Sequence, residues 1–356
     1  METKKRVLVA MSGGVDSSAA AALLCQAGYD CDGAMLKLYR GDDSRCCSAD
    51  DAEDARQAAA RMGMRFYVFN ETERFARCVM DVFAAEYAAG RTPNPCIECN
   101  RELKFGALLE RALTLGYDYI ATGHYARLDY DERSGKYRLL RGRERRKDQS
   151  YVLYQLTQHQ LSHLLLPVGD HDKEDIRALA RQAGLDNADK GDSQDICFIP
   201  DGDYTAFLRR QGVAMTEGDF VDSTGRVLGR HKGLPCYTVG QRKGLGVAAG
   251  KHVYVLSKNG ADNTILLGDD EELFSPALTA SRVNWISGET PAAPFRCAAK
   301  TRYSQTEAPC TVYPLPEGGM RVVFDQPQRA ITAGQAVVLY DGEEVLGGGT
   351  IEGAAP

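Results

Sequence analysis

A glycine turn between an apolar run and an alanine-rich run constrains the fold of this chain more than any other feature. Residues 7–11 are apolar, Ser12-Gly13-Gly14 follows them, and residues 19–27 favour a helix that Gly28 ends. This order predicts a strand, a tight turn and a helix N-terminus, where backbone N–H groups and the helix dipole attract an anion. Glycines let the backbone turn sharply and approach a phosphate closely. The sequence therefore predicts a phosphate-binding loop.

The loop lacks the lysine that a Walker A motif requires. It resembles instead the SGGxDS signature of PP-loop ATP pyrophosphatases, and this resemblance implies cleavage of ATP between its α- and β-phosphates to adenylate a substrate. Asp16, Ser17 and Ser18 suit the first helical turn, where side-chain oxygens cap free amides. The alternative is a glycine turn that only joins a strand to a helix. The loop alone does not define the acceptor of the adenylate.

Length and composition predict a multidomain globular protein. At 356 residues the chain exceeds one typical hydrophobic core, so we expect two or three domains. Its 44% hydrophobic and 26% charged residues are typical of a soluble protein. No apolar run approaches the ~20 residues that span a bilayer, and the glycine loop at residue 12 leaves no room for a signal peptide. We therefore expect a cytoplasmic protein without a membrane partner.

Eleven cysteines in a cytoplasmic chain argue against a structural disulfide framework, and the odd number agrees. Several lie in apolar or strand-like contexts, where a thiol acts as a small buried hydrophobic group. These are Cys25, Cys31, Cys78, Cys297 and Cys310.

Positive charge is concentrated in one segment, although the net charge of −6 does not indicate a nucleic-acid-binding protein. Residues 133–147 contain eight Lys or Arg side chains and a single acidic residue, Glu144. Such a run is typical of a solvated hairpin, and beside an ATP site it also suits contact with a phosphate backbone. Both interpretations stay open.

The N-terminal half alternates strands and helices. After the first unit the predicted strands are 33–38, 66–69 and 119–122, the predicted helices are 48–62, 72–89 and 102–115, and 41–47 is a polar loop. Repeated βα units predict an α/β fold with a parallel, doubly wound sheet and ligands at the carboxyl ends of its strands. Gly123 and His124 stand at such an end. At the end of the second strand, Met35 or Leu36 could contact an adenine ring.

Two β-rich regions follow. Beyond 200–203 the predicted strands are 227–228, 237–239, 253–256 and 264–267, which indicate a small central domain. Beyond Ser275 the predicted strands are 282–286, 295–303, 310–313, 320–324 and 336–340, with a glycine turn at 347–349, which indicate a compact β-barrel. We expect domains at residues 1–203, 204–275 and 276–356.

A Cys-x-x-Cys pair follows a proline-rich approach. Pro93 and Pro95 forbid helix until after Pro95, and Cys96 and Cys99 then lie within reach of one another. Such a pair can be a redox dithiol, half of a metal site, or a nucleophile with a companion. Zinc is the weaker interpretation, because no second C-x-x-C occurs. Cys197 follows acidic residues in a strand-like run, where an ordinary buried thiol is also possible.

Eight motifs in a fixed order identify a family. They are SGGVDSS, AAGRTPNPCIECN, ATGHYA, KDQSY, SQDICFI, GQRKGLG, KTRYSQ and LGGGTI. Together they resemble the tRNA-specific 2-thiouridylase family, from residue 7 to residue 351. The resemblance implies conversion of the wobble uridine of tRNAs for Lys, Glu and Gln to 2-thiouridine, with ATP and a sulfur donor. It also implies a PP-loop domain, a small central domain and a C-terminal β-barrel.

The resemblance also implies residue roles. Cys99 corresponds to the nucleophile and Cys197 to the persulfide-carrying cysteine. The ATP-binding positions are Ala10, Met11, Ser12, Gly13, Gly14, Val15, Asp16, Ser17, Leu36 and Gly123. The positions near the target base are Asn94, Pro95 and Cys96. The positions that touch tRNA are His124, Lys147, Asp148, Gln149, Ser150, Arg302, Tyr303 and Gln335.

The implied reaction explains these residue types. Transfer of AMP to the uridine C2 oxygen makes a good leaving group, with the glycine loop and Mg²⁺ stabilising the departing pyrophosphate. Sulfur from a Cys197 persulfide then attacks C2, and Cys99 resolves the S–S bond, leaving a Cys99–Cys197 disulfide. That disulfide requires the two Cα atoms to come within ~7 Å. The expected partners are a tRNA anticodon loop, whose bases are already unpaired, and a persulfide-donating sulfur-relay protein or cysteine desulfurase.

One departure leaves alternatives open. Many family members carry Asp at the position of Cys96, so a candidate general base is absent here. Cys96, Cys99 and Cys197 could instead ligate an iron–sulfur cluster. Further alternatives are an amide- or lysidine-forming PP-loop enzyme, which needs no cysteine, and a non-catalytic ATP-responsive RNA-binding protein.

Overall fold

The part of the chain described by a computed structural model comprises residues 4–39, 48–188, 190–191, 196–248 and 250–355. The polar loop predicted at 41–47 and residues 192–195, which open the Cys197 motif, lie outside the described residues.

Strands occur along the whole chain and account for most of the regular structure in its C-terminal half. They are β1 (Arg6–Ala10), β2 (Asp30–Lys37), β3 (Phe66–Asn70), β4 (Tyr119–Ala121), β5 (Ala126–Asp131), β6 (Lys136–Arg141), β7 (Leu164–Leu165), β8 (Gly218–Val221), β9 (Val227–His231), β10 (Tyr254–Asn259), β11 (Thr264–Gly268), β12 (Phe274–Trp285), β13 (Phe295–Lys300), β14 (Ala308–Pro314), β15 (Met320–Arg329), β16 (Ala336–Asp341) and β17 (Glu344–Ala355).

Helices account for most of the N-terminal half. They are α1 (Val15–Gln26), α2 (Ala49–Arg61), α3 (Thr72–Phe75), α4 (Asp81–Ala88), α5 (Pro95–Cys99), α6 (Leu108–Thr114), α7 (Gln158–Ser162), α8 (Lys173–Gln182) and α9 (Tyr204–Arg210). A π-helical segment, Ala76–Met80, joins α3 to α4, and a second, Asn100–Ala107, joins α5 to α6.

The N-terminal sheet has the predicted parallel, doubly wound form. Its strand order is β3-β2-β1-β4-β7, and all its pairings are parallel. Val7 and Val9 pack on one face with α1, α2 and α8, whereas Leu8 packs on the other with residues of α4 and α6. The direction of chain progression reverses between β1 and β4. Their carboxyl ends therefore flank the crevice where open α/β sheets bind ligands.

The helix predicted at 102–115 begins earlier than expected, so that boundary is wrong. Asn94 caps α5 by accepting a hydrogen bond of 3.1 Å at Oδ1 from the Cys96 N–H. Pro95 occupies the first helical position, where its missing N–H has no cost. Cys96 and Cys99 therefore lie in the first turns of one long helical segment. The predicted helices at 48–62 and 72–89 are confirmed, the first with Ser48 as its N-cap.

The central region forms a four-stranded sheet of order β10-β11-β8-β9. The strand predicted at 237–239 is wrong. Leu234–Cys236 forms a 3₁₀ turn instead, because Pro235 lacks the N–H that a strand ladder needs. Tyr237 turns its ring into the core of this domain, 5.1 Å from the ring of Phe220.

The C-terminal strands close into a barrel, as predicted. The order β12-β15-β14-β13-β16-β17 is closed by pairing of β17 with β12. The β5–β6 hairpin, which precedes this region by more than a hundred residues, extends the sheet by pairing β6 with β17. The glycine turn predicted at 347–349 is wrong, because these residues lie inside β17. A Cβ on Gly348 would lie 2.7 Å from the Tyr154 ring, so the glycines permit close packing rather than a turn.

The basic segment 133–147 contributes to this hairpin. Its cations pair with carboxylates, several from the barrel: Lys136 with Glu289, Arg138 with Asp129 and Glu344, Arg141 with Glu307, and Arg145 with Glu343. The predicted hairpin is therefore present and much of its charge is balanced within the chain, whereas contact with a phosphate backbone stays a prediction. Within the part of the chain that the structure describes, every helix is too short or too polar to span a bilayer.

Candidate active site

The glycine loop curls over the N-terminus of α1. Gly13 has φ of 78°, and a Cβ there would lie 2.4 Å from the Asp51 carbonyl oxygen, so only glycine fits. Ser17 Oγ accepts a hydrogen bond of 3.1 Å from the Ser12 N–H and donates one of 3.0 Å to the Gly14 carbonyl. Gly14 is the N-cap residue and has no capping side chain. The loop thus presents a helix N-terminus and the exposed Ser12 to the carboxyl edge of the sheet.

Gly123 lies directly against this loop. A Cβ at residue 123 would come within 2.7 Å of both the Asp16 carbonyl carbon and the Ser17 nitrogen. The structure therefore brings together the predicted ATP-binding positions after β1 and β4. Ala10 ends β1 beside Ala34 of β2, and Leu36, nearly buried, packs with both in one hydrophobic cluster. Met11 and Val15 are buried, so they can offer only backbone groups to a ligand.

Asp16 has partners that the sequence did not reveal. Lys173, the first residue of α8, places its Nζ 2.6 and 2.8 Å from the two carboxylate oxygens. The Tyr125 hydroxyl donates a further hydrogen bond of 2.9 Å to Asp16 Oδ1. Tyr125 follows His124 in the ATGHYA motif, which gave a signal for it. Nothing in the sequence around Lys173 distinguished it from any lysine at a helix start.

Asn187 holds the glycine loop through side-chain hydrogen bonds. Its Nδ2 donates to the Gly13 carbonyl and to Ser18 Oγ, both at 3.0 Å, and the residue is buried. Its Oδ1 is buried without a hydrogen-bond partner within the described part of the chain. Lys190 holds Asp51, the residue whose carbonyl touches Gly13, at 2.6 Å. The segment after α8 therefore holds the loop and the neighbouring Asp51 through side-chain hydrogen bonds.

The two cysteines of the Cys-x-x-Cys pair differ in exposure. Cys96 is exposed, whereas Cys99 is only 8% exposed. Cys197 is half-buried and packs on the hydrophobic cluster that also contains Cys99. Phe198, the next residue, lies edge-on to Phe75, with ring centroids 5.6 Å apart. Cys99 and Cys197 thus contact one extended apolar core despite their separation in sequence.

The barrel contacts the segment that leads into these cysteines. Arg91 pairs with Glu352 of β17 at 2.7 Å. Gln335 Nε2 donates a hydrogen bond of 2.7 Å to the Thr92 carbonyl. Glu98, which is buried, lies 3.5 Å from Arg282 of β12. The predicted Gln335 therefore lies against the chain just before Asn94, Pro95 and Cys96.

The predicted Lys147–Ser150 turn is largely internal. Buried Asp148 accepts hydrogen bonds from the Gly142 N–H, at 3.0 Å, and from the Ser150 N–H, at 3.1 Å. Gln149 Oε1 accepts one of 3.0 Å from the Tyr125 N–H. The turn therefore ties the basic hairpin to the segment that follows β4. Lys147 and Gln149 are its partly exposed members.

Three further predicted tRNA positions differ in environment. His124 is buried, bonds Thr122 Oγ1 at 2.8 Å, and has a pKa well below its usual value because of desolvation and, secondarily, Lys104. Tyr303 is 43% exposed as a whole residue. Its pKa is nevertheless raised, mainly because its hydroxyl is partly desolvated and to a smaller extent because of Asp148 and Cys96. Arg302 donates to the Thr332 hydroxyl at 2.6 Å and lines a cavity of about 470 Å³ between the central domain and the barrel.

No three His, Cys, Asp or Glu side chains converge to form a metal site in the described segments. The iron–sulfur alternative through Cys96, Cys99 and Cys197 therefore gains no support from this arrangement.

The parallel sheet carries a glycine loop at its switch point and is joined to a central β domain and a closed barrel. This combination defines a PP-loop protein that uses ATP. Residues 5–201 match the family described as the tRNA methyl transferase HUP domain. Residues 205–269 match the tRNA methyl transferase PRC-barrel domain, and residues 275–351 match the aminomethyltransferase beta-barrel domain.

Relatives define the family more narrowly. The chain is 51% identical over 357 residues to the tRNA-specific 2-thiouridylase MnmA of Carboxydothermus hydrogenoformans, covering 98% of each chain. It is 48% identical over 358 residues to that of Clostridioides difficile, covering 99% of each. It is 50% identical over 356 residues to that of Moorella thermoacetica, covering 98% of this chain and 99% of that one. The chain belongs to the tRNA-specific 2-thiouridylase family, as the motifs predicted.

Similarity to solved structures is weaker. A 4-thiouridine synthetase in complex with RNA and ATP matches with a TM-score of 0.37 and 15% identity, over 58% of this chain and 50% of that one. A likeness at this level adds nothing to the assignment.

Proposed function

We propose that the chain is a tRNA-uridine 2-sulfurtransferase, which converts the wobble uridine of tRNAs of the Lys, Glu and Gln type to 2-thiouridine. The observation that carries this proposal is identity of about half over nearly the whole length to tRNA-specific 2-thiouridylases. The division into residues 1–203, 204–275 and 276–356 is part of the proposal. A tRNA substrate favours a cytoplasmic location.

The donor set of the loop fits a triphosphate. It combines the helix N-terminus at Gly14, the exposed hydroxyl of Ser12 and the ammonium group beside Asp16. The residues that would hold ATP are Ala10, Met11, Ser12, Gly13, Gly14, Val15, Asp16, Ser17, Leu36 and Gly123. ATP supplies the adenylate that makes the uridine C2 oxygen a leaving group. One carboxylate, Asp16, also suits Mg²⁺, which proteins usually hold through one or two carboxylates together with substrate phosphates.

Cys197 and Cys99 would perform the sulfur transfer. The terminal sulfur of a Cys197 persulfide attacks C2, forming a C–S bond as the C–O bond to AMP breaks. The Cys99 thiolate then attacks Cys197 Sγ and breaks the persulfide S–S bond, which releases 2-thiouridine and leaves a Cys99–Cys197 disulfide. A dithiol reductant must restore both thiols before the next turnover. Since Cys99 is nearly buried, this step requires movement of its helix or of the residues that cover it.

The macromolecular partners follow from this chemistry. The anticodon loop of tRNA would contact His124, Lys147, Asp148, Gln149, Ser150, Arg302, Tyr303 and Gln335, with Asn94, Pro95 and Cys96 near the target base. A sulfur-relay protein or a cysteine desulfurase would load the persulfide onto Cys197. The half-buried position of Cys197 is compatible with such loading.

Mass spectrometry of nucleosides tests the proposal directly. Unmodified tRNA incubated with the protein, ATP, Mg²⁺ and a persulfide donor should yield 2-thiouridine, and omission of ATP should abolish the product. Cys99→Ser and Cys197→Ser should each remove activity. The control is Cys236→Ser, which replaces a half-buried thiol of the central domain and should retain activity. An amide- or lysidine-forming enzyme predicts full turnover in the Cys99→Ser, Cys197→Ser double variant, and that result would refute the proposal.

A further inference from the structure

A buried lysine lies at the loop that lacks a lysine of its own. Lys173 Nζ contacts both oxygens of Asp16, at 2.6 and 2.8 Å, and its side chain is only 9% exposed. The lysine is brought there from another helix, since α8 packs against α1 and Lys173 is the first residue of α8. Its backbone N–H donates a hydrogen bond of 2.7 Å to Glu144 Oε2, which holds this end of α8 in place.

An aromatic ring and a carboxylate surround the ammonium group. The Tyr125 ring lies 5.8 Å from Lys173 Nζ, and the Tyr125 hydroxyl bonds the same carboxylate. Burying a lysine is expensive unless a counter-charge compensates, and Asp16 provides that charge in this arrangement. Asp16 also lies in the first turn of α1, at the anion-attracting end of the helix. The cation therefore lies where a phosphate would approach the helix.

We propose that Lys173 is a phosphate-binding residue of the ATP site, taking the place of the lysine that a Walker A loop carries within its own sequence. On ATP binding, the ammonium group exchanges the Asp16 carboxylate for oxygens of the β- and γ-phosphates, and the released carboxylate becomes available to Mg²⁺. The assignment rests on the proposed use of ATP. The competing explanation is a structural ion pair that only joins α8 to the loop.

Binding of ATP and AMP to purified variants separates these explanations. AMP lacks the β- and γ-phosphates, so a residue that binds those groups affects ATP affinity alone. Lys173→Met should weaken ATP binding roughly 10- to 100-fold, the loss expected for a charge-assisted hydrogen bond, and should leave AMP affinity unchanged. Lys173→Arg should restore part of the ATP affinity. The matched control is Lys251→Met, which removes an exposed lysine paired with Asp269 in the central domain.

A purely structural ion pair gives different results. Equal weakening of ATP and AMP by Lys173→Met, or no change in either, would overturn the proposal. If Lys173→Met does not fold, the comparison moves to Asp16→Asn, which keeps the ammonium group alone, and to Asp16→Asn, Lys173→Met, which removes both charges of the pair. Inorganic pyrophosphate without Mg²⁺ should bind Asp16→Asn more tightly than it binds the wild type. It should bind the double variant at least tenfold more weakly than it binds Asp16→Asn. Equal binding to the two variants would refute the exchange.

Failure of the inference is distinguishable from failure of the proposed function. If wild-type protein binds ATP and produces 2-thiouridine while the Lys173 variants bind ATP normally, only the role of Lys173 is wrong. If wild-type protein binds no ATP, the proposed adenylation itself fails.

Discussion

Gln335, in the loop before β16, donates a hydrogen bond of 2.7 Å from Nε2 to the carbonyl of Thr92. The Thr92 N–H in turn donates one of 2.9 Å to the Ala333 carbonyl. The barrel therefore holds both sides of the peptide that leads into Cys96 and Cys99. The position of the proposed nucleophile depends on the C-terminal domain as well as on its own helix.

Gln335→Ala should slow thiolation more than it weakens tRNA binding. Loss of one hydrogen bond costs about 1 kcal/mol, too little to unfold the domain, but it loosens the approach to Cys99. Single-turnover thiolation rates and tRNA affinities, measured over a range of salt concentrations, distinguish the two effects. Gln328→Ala is the control, because the Gln328 side chain donates to the carbonyl of Gln326, two residues away at the end of the same strand. A loss confined to tRNA affinity would instead favour direct contact of Gln335 with tRNA.

Gly123→Ala should impair the nucleotide site. The added Cβ would meet backbone atoms of Asp16 and Ser17 at 2.7 Å, and backbone yields less readily than a side chain. Overpacking of this kind costs roughly 1–3 kcal/mol of stability, and displacement of the loop should weaken ATP binding at least about tenfold. Gly260→Ala, where a Cβ meets nothing within 4 Å, should alter neither quantity. Isothermal titration with ATP and thermal denaturation provide the measurements, and unchanged ATP affinity in Gly123→Ala would contradict this packing.

Stability should fall in mild acid because of His124. Burial keeps the pKa of His124 in the folded protein well below 6.5, with a smaller effect of Lys104, so the unfolded chain binds the proton more readily. The contribution is fully present above pH 6.5 and is lost as pH falls through the folded pKa. The slope from this one group reaches at most about 1.4 kcal/mol per pH unit. Urea denaturation between pH 5 and 8 should show a weaker pH dependence in His124→Asn than in wild type. His252→Gln serves as control, because His252 is exposed. Identical pH dependence of the unfolding free energy in all three proteins would exclude this role of His124.

Cys96→Asp should retain thiolation activity. Cys96 is exposed at the helix start, where a carboxylate is favoured by the helix dipole. A carboxylate binds cluster iron less well than a thiolate, so the iron–sulfur alternative predicts loss of iron and of activity. Thiolation assays with iron analysis after anaerobic purification decide between them. A brown wild-type protein that Cys96→Asp renders colourless and inactive would establish the cluster instead.

Local signals in the sequence predicted much of the N-terminal domain. The glycine loop, the capped helix after Ser48 and the alternation of strands and helices depend on neighbouring residues, so short windows contain the information. The ends of helices were less predictable where two local preferences of one residue compete. Pro95 was expected to exclude helix, yet it occupies the one helical position that tolerates it.

Contacts between distant segments were not predictable from local patterns. The glycines at 347–349 have the composition of a turn, but close packing against Tyr154 and β12 places them inside a strand. Similarly, the basic hairpin gave no indication that it would pair with a barrel strand two hundred residues later.

The sequence by itself determined the family, the fold class and the presence of a phosphate-binding loop, because long motifs and local periodicity are properties of contiguous residues. Only the tertiary structure decided which cation meets Asp16 and which domain holds the cysteine segment. Lys173 and Gln335 acquire these positions through the packing of α8 on α1 and of the barrel on the N-terminal domain. Such packing depends on the burial of many side chains at once, and no single stretch of sequence contains it.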